Sequence, residues 1–113
     1  METSEPTTSA TPFDITVAGP SSHPMVTVNG EIDVATSPRL RTELTALVAR
    51  GADELTIEFG GVTFVDSSGL GVLVAIYKRL REDGKGRVHI VGAQPSVRKV
   101  FEITGLESAL LDG

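Results

Sequence analysis

The sequence predicts an α/β domain with a mixed, mostly parallel β-sheet and helices packed against it. Segments that alternate apolar and polar residues are interspersed with segments whose apolar residues recur at helical spacing. Helical segments separate the later strands, which makes those strands parallel through right-handed crossovers. The first two strands are joined by a short turn rich in Gly and Pro, which is typical of an antiparallel hairpin. The predicted order is β-β-α-β-α-β-α.

The hairpin consists of a strand at residues 13–17, a turn at 19–24 and a second strand that starts at Met25. Gly30-Glu31-Ile32-Asp33 closes the second strand. Residues 1–12 are rich in Ser, Thr and Pro and lack an apolar period, which predicts a disordered tail. The folded domain is therefore expected over residues 13–113.

A first helix is predicted over residues 38–50, with Ser37 as the N-cap and Pro38 at the first helical position. Gly51 supplies its C-terminal stop. Residues 55–65 alternate as a third strand, with an irregular end. A second helix begins near Ser68 and ends at Gly84, and its predicted buried stripe consists of Leu70, Leu73, Val74, Tyr77 and Leu80.

A fourth strand is predicted over residues 87–91, and a third helix runs from Pro95 to the stop at Gly105. The apolar residues of this helix are Val97, Val100 and Phe101. Residues 106–111 form a short closing element whose type the pattern leaves open.

Composition excludes several functional classes. The chain has 113 residues, a net charge of −5 and no cysteine. It lacks a Lys/Arg cluster, which argues against nucleic acid as a partner. The absence of cysteine excludes disulfides and a thiolate metal site, and is typical of a cytoplasmic protein. The sequence shows neither a signal peptide nor an apolar run approaching the ~20 residues that span a membrane. His23 and His89 lack metal-ligand spacing, so neither a metal nor a cofactor is predicted.

The most informative segment, residues 65–73, places Ser67 and Ser68 at the start of the second helix. Unpaired backbone N–H groups and the helix dipole make such a position suitable for a capping hydroxyl or for a phosphate. At 100° per residue, the side opposite the predicted stripe carries Ser68, Val72, Ala75 and Arg79. This exposed face is small and partly apolar. It is interpreted either as ordinary surface or as a docking surface for a protein.

Gly69 and Gly71 weaken the first turn of this helix, since each costs up to ~1 kcal/mol relative to alanine in a helix interior. Close packing on the sheet and close approach of another backbone both explain them. Motifs for a phosphate loop, a dinucleotide site and a nucleophile elbow are incomplete around Ser67. Glu31, Asp33 and Asp66 could cluster near Ser67 at the strand ends, where acids commonly cap helices.

Asp66-Ser67-Ser68-Gly69-Leu70-Gly71 resembles the phosphorylation motif of STAS domains, specifically those of single-domain bacterial anti-sigma factor antagonists. Gly30-Glu31-Ile32-Asp33 resembles a second motif of this family, and residues 97–106 resemble its C-terminal helix and turn. The resemblance covers residues 13–111.

The resemblance implies a partner-switching cycle. An unmodified antagonist binds an anti-sigma factor that is also a serine kinase, and sigma factor is released. Phosphorylation of Ser67 ends the binding, and a PP2C-type phosphatase restores it. Ser68 is expected as the N-cap and Asp33 beside the phosphorylation site. The predicted partner-binding residues are Asp33, Asp66, Ser68, Gly69, Gly71, Val72, Ala75 and Arg79, with no catalytic residue, nucleic acid or membrane involved.

Two other functions stay open at this point. A STAS domain can be a scaffold subunit of a transporter or lipid-transport complex, in which case Ser67 is only a cap. Direct nucleotide binding by the domain is the other. The intact serine motif favours the phosphorylation switch.

Overall fold

The computed structural model describes residues 12–111, and most of the predicted tail lies outside these residues. In this part of the chain the elements follow the predicted order, with one short helix added at the end. Their bounds are β1 Asp14–Ala18, β2 Met25–Ile32, α1 Ser37–Ala49, β3 Leu55–Val65, α2 Ser67–Glu82, β4 Val88–Val91, α3 Pro95–Thr104 and α4 Glu107–Leu110.

The sheet has the order β1-β2-β3-β4. β1 pairs with β2 antiparallel, whereas β2–β3 and β3–β4 are parallel pairs. The predicted hairpin and the predicted fold class are therefore confirmed. Since the β2–α1–β3 and β3–α2–β4 crossovers step in the same direction, right-handed connections place α1 and α2 on the same face of the sheet.

The core lies between this face and the helices. Alternate residues of β2 and β3 are buried there, and Phe59 of β3 packs edge-on against Phe101 of α3 with ring centroids 6.3 Å apart. The fully buried residues of the two central strands are Val26, Val28, Ile32, Leu55, Ile57, Phe59 and Val62. The intervening residues, such as Thr56 and Glu58, are half-buried on the other face.

β3 is the longest strand, with 11 residues, and pairs with the four residues of β4 only from Leu55 to Glu58. Its remainder continues beside β2, with register shifts that account for the irregular end predicted from the sequence. Ile32 and Val65 are partners at the end of this pairing. The carboxyl ends of β2 and β3 therefore meet at one edge of the sheet, where parallel α/β proteins commonly place functional groups.

The start of α1 differs from the prediction. Ser37 is not the N-cap, because it is already the first helical residue and is buried. The residue before it, Thr36, has no capping side-chain bond either. Asp33 instead orders the turn that precedes the helix, since its Oδ1 accepts the N–H groups of Ala35 and Thr36 and its backbone carbonyl accepts that of Ser37.

The predicted stops are confirmed. Gly51, Gly84 and Gly105 follow their helices with positive φ angles of 102°, 68° and 76°. The element left open at the C-terminus is α4, after which Leu111 forms a parallel bridge with Ile90 of β4.

Candidate functional site

The candidate site lies where β2 and β3 end. Asp33 directly follows β2, Asp66 directly follows β3, and the N–H of Asp66 donates to the carbonyl of Ile32 at 3.1 Å. Because neighbouring strands lie about 4.8 Å apart, this pairing places the two acids side by side. Ser67 is the next residue and is exposed. The predicted grouping of Asp33 and Asp66 beside Ser67 is therefore present, whereas Glu31, the third predicted member, lies within β2 opposite Phe64.

Asp66 is the N-cap of α2, so the prediction that Ser68 caps this helix is wrong. Oδ1 of Asp66 accepts the N–H groups of Ser68 at 2.9 Å and Gly69 at 3.2 Å. Its carbonyl accepts the N–H of Leu70 at 3.0 Å. The backbone of Asp66 is still extended, and the helix starts one residue later at Ser67. The capping position therefore falls to a carboxylate, which complements the helix dipole.

We predict that Asp66→Ala lowers the free energy of unfolding by roughly 0.5–2 kcal/mol, because the amides of Ser68 and Gly69 lose their acceptor. Ser68→Ala is the matched control and should change it by at most about 0.5 kcal/mol, because its hydroxyl does not cap the helix. Urea unfolding monitored by circular dichroism measures both. A larger loss for Ser68→Ala than for Asp66→Ala would contradict the assignment.

The buried face of α2 also differs from the prediction. Val72, expected on the exposed side, is only 2% exposed, whereas Val74 and Tyr77, expected in the core, are half-buried. The buried face is thus rotated by roughly 60° about the helix axis, at 100° per residue. The buried residues of the helix are Gly69, Leu70, Val72, Leu73, Ile76 and Leu80.

The exposed face of α2 begins at Ser67 and continues through Gly71 to Lys78. Val74 and the predicted partner-binding residue Ala75 flank it and are half-buried, as is Ser68. Arg79 is exposed as predicted, and its Nε lies 3.6 Å from Oδ2 of Asp83. A face of small and apolar residues with a cation further along is present as predicted, but it is built mainly from other residues.

The two glycines of the first turn have different environments. A Cβ on Gly69 would lie 2.5 Å from Cγ2 of Ile32 and 2.9 Å from Cγ2 of Val65, so this glycine permits close packing on the sheet. Gly69 is buried and is not available to a partner. A Cβ on Gly71 would meet nothing within 4 Å. Close approach by another backbone stays a prediction for Gly71.

Sequence reasoning missed two apolar side chains beside the site. Val34, directly after Asp33, is 75% exposed, and Phe64 of β3 is 47% exposed. Phe64 pairs in register with the exposed Glu31. The sequence feature that could have identified Val34 is its position between an acidic residue and the start of a helix, in a segment that the periodicity assigned to no element.

The histidines lie at the other end of β3. Glu54, which precedes this strand, has Oε2 at 3.1 Å from Nε2 of His89 and Oε1 at 3.5 Å from Nε2 of His23. The hydrogen bond with His89 lowers the pKa of the Glu54 carboxyl. His89 is therefore not a neighbour of Ser67 and cannot serve as its base.

Residues 12–111 contain no group of three or more His, Cys, Asp or Glu side chains that could hold a metal ion. No helix in this range is long and apolar enough to cross a membrane.

Proteins named anti-sigma factor antagonists are similar to this chain in sequence and in fold. The anti-sigma-B factor antagonist of Staphylococcus aureus is 35% identical over 85 residues, which are 75% of this chain and 78% of that protein. The crystal structure of an anti-sigma factor antagonist from Mycobacterium paratuberculosis matches with a TM-score of 0.78 and 31% identity, over 88% of this chain and 85% of that one.

The phosphorylated form of the Bacillus cell fate determinant SpoIIAA shares the fold, with a TM-score of 0.68 and 20% identity over 90% of this chain and 91% of that one. The STAS domain model matches residues 14–110, which include both acids, Ser67 and all of the sheet except its short closing bridge. Relatives of the chain are named anti-sigma factor antagonists, and the domain match covers most of its length. The chain therefore belongs to the STAS domain family.

Proposed function

We propose that this protein is an anti-sigma factor antagonist controlled by phosphorylation of Ser67. In its unmodified form it binds an anti-sigma factor that is also a serine kinase, and sigma factor is released. Phosphorylation of Ser67 ends this binding, and a PP2C-type phosphatase reverses the modification. The protein acts as a binding partner and substrate, so none of its own residues is assigned a catalytic role, and it needs no cofactor.

The observation that carries the proposal is that Ser67 is exposed at the first position of α2 while Asp66 caps the helix. Its hydroxyl is not required for capping, so a kinase can modify it without removing a structural bond. The relatives named as anti-sigma factor antagonists support the partner class. That SpoIIAA is described in a phosphorylated form supports the modification.

Electrostatics favours release of the partner after phosphorylation. A phosphate adds about −1.5 to −2 charges at neutral pH. The amides of Ser68 and Gly69, which would otherwise attract it, already donate to Asp66. A phosphate on Ser67 would therefore lie beside the carboxylates of Asp66 and Asp33 without these two amides as donors. A partner that covers Ser67 would have to remove water from this charge, which opposes binding.

The docking surface on α2 is the exposed face described above. Gly71 lies near its centre, and Ala75, Ser68 and Arg79 border it. Val72 does not belong to this surface because it is buried. Small side chains beside Ser67 allow a kinase to bring its active site close to the hydroxyl.

The test uses the purified protein with each anti-sigma factor of its own organism and Mg-ATP. We predict one phosphate per chain, located on Ser67 by peptide mapping, and no incorporation into Ser67→Ala. Phosphate on Ser68 alone would move the site by one residue. A protein that neither binds nor is phosphorylated by any anti-sigma factor, and co-purifies with membrane-complex subunits, would instead be a scaffold.

A further inference from the structure

The loop between β2 and α1 holds an exposed valine in a fixed position. Val34 is 75% exposed at the turn between Asp33 and Thr36. Singly exposed apolar side chains are common on protein surfaces and need no explanation by themselves. The bonds around Val34 and its position beside Ser67 supply the argument.

The two residues that flank Val34 and Ala35 fix this loop through their side chains. Oδ1 of Asp33 accepts the N–H groups of Ala35 at 2.9 Å and Thr36 at 3.0 Å. Oγ1 of Thr36 accepts the N–H of Asp33 at 2.9 Å and donates to the carbonyl of Glu31 at 2.8 Å. Such an Asx-type turn orders the loop before any partner binds, which reduces the entropy lost on binding.

The loop lies beside the proposed phosphorylation site. Ile32 and Val65 are register partners, so the residues that follow them lead into Val34 on one strand and into Ser67 on the other. A partner that covers Ser67 is therefore within reach of Val34. Ile103 is also 75% exposed, but it lies in α3 and not in a segment that follows the end of β2 or β3.

We propose that Val34 is an apolar anchor for the anti-sigma factor, and that Asp33 is a positioning residue that holds the loop rather than a charged contact. This inference rests on the proposed function and deepens it. The partner would present an apolar pocket to Val34 while its active site faces Ser67. A side chain that fills a well-packed, desolvated pocket near the centre of an interface carries a large share of its binding energy.

The first test compares Val34→Ser with Ile103→Ser, a matched control with the same exposure. The probe is the anti-sigma factor of the same organism that phosphorylates the wild-type protein, and affinity is measured by calorimetry. We expect Val34→Ser to bind at least roughly tenfold more weakly and Ile103→Ser to bind like the wild type. Equal affinities for Val34→Ser and the wild type would overturn the proposal.

The second test separates positioning from charge. Asp33→Asn retains an Oδ1 that accepts from Ala35 and Thr36, so its affinity should stay within about threefold of wild type. Asp33→Ala removes the acceptor and should bind roughly tenfold more weakly. Hydrogen exchange at the amides of Ala35 and Thr36 should accelerate only in Asp33→Ala. An equal loss of affinity in both variants, with exchange unchanged in Asp33→Asn, would show that the charge itself matters.

These outcomes are distinguishable from failure of the proposed function. If the wild-type protein neither binds nor is phosphorylated by any anti-sigma factor of its organism, the proposed function fails and this inference fails with it. If the wild type binds and is phosphorylated but Val34→Ser is indistinguishable from it, only the anchor assignment is wrong.

Discussion

Ser67→Asp is expected to bind the anti-sigma factor at least roughly tenfold more weakly than the wild type, whereas Ser67→Ala should retain wild-type affinity. The aspartate places a permanent negative charge beside Asp66 and Asp33, on the surface that the partner must cover. When the partner covers this surface, the added carboxylate loses its hydration and its repulsion with the two neighbouring carboxylates is screened less, and both effects oppose binding. The alanine removes the hydroxyl that accepts the phosphate and adds no charge. The variant should therefore bind the anti-sigma factor and never be switched off.

The matched control is Ser96→Asp. Ser96 is also an exposed serine in the first turn of a helix, but in α3. The Ser96→Asp substitution should leave the affinity for the anti-sigma factor unchanged, which separates a local effect at Ser67 from the effect of one added charge. Affinities at two salt concentrations show whether the loss is electrostatic, since screening should reduce it.

Because aspartate carries less charge than a phosphate, the phosphorylated protein should bind more weakly still. Equal affinity of phosphorylated and unmodified protein would exclude the switch.

Val72→Glu should destabilise the fold by at least about 3 kcal/mol, because it removes apolar burial and forces a carboxylate into a site without a partner. Val72 is 2% exposed in the core beneath α2. The preceding residue offers the control, since a side chain on Gly71 would meet nothing within 4 Å. Gly71→Glu should leave stability unchanged or raise it by up to ~1 kcal/mol, because glycine is a poor helix former.

Chemical unfolding of both variants tests this contrast, and binding provides a second measurement. Gly71→Glu should stay folded yet bind the anti-sigma factor poorly, since it fills the docking surface beside Ser67. A folded Val72→Glu with the unfolding midpoint of the wild type would show that this side of α2 faces solvent.

The strands and the sheet could be predicted because they depend on local patterns. Alternation in β2 and β3, the glycine stops and the lengths of the connections together determine a parallel arrangement. That arrangement also brings Asp33 and Asp66 together, since the carboxyl ends of neighbouring parallel strands share an edge.

The rotation of α2 could not be predicted because apolar residues occupy most of the first half of this helix. Because residues 70–76 include Leu70, Val72, Leu73, Val74 and Ile76, helical periodicity does not determine the centre of the buried face. Packing decides it, since Gly69 has to lie against Ile32 and Val65. The cap was ambiguous for a related reason. Asp66, Ser67 and Ser68 are all good capping residues, and the end of β3 at Val65 selects the first.

The function of Asp33 in its loop was hidden for a different reason. The sequence suggested an acid beside the phosphorylation site, but the bonds of its carboxylate to Ala35 and Thr36 depend on backbone angles that no periodicity reports. The same bonds leave Val34 exposed, and a pattern-based assignment treats such a residue as ordinary loop.

The cap at Asp66 has a consequence for how long a regulatory state persists. Since this carboxylate already accepts the amides of Ser68 and Gly69, those two donors would not be free to bind a phosphoserine at position 67. Without these two donors to bury it, a phosphate there would be accessible to a phosphatase. The phosphatase activity in the cell would then set how long each modified molecule persists, and the ratio of kinase to phosphatase activity would set the fraction of antagonist that is inactive.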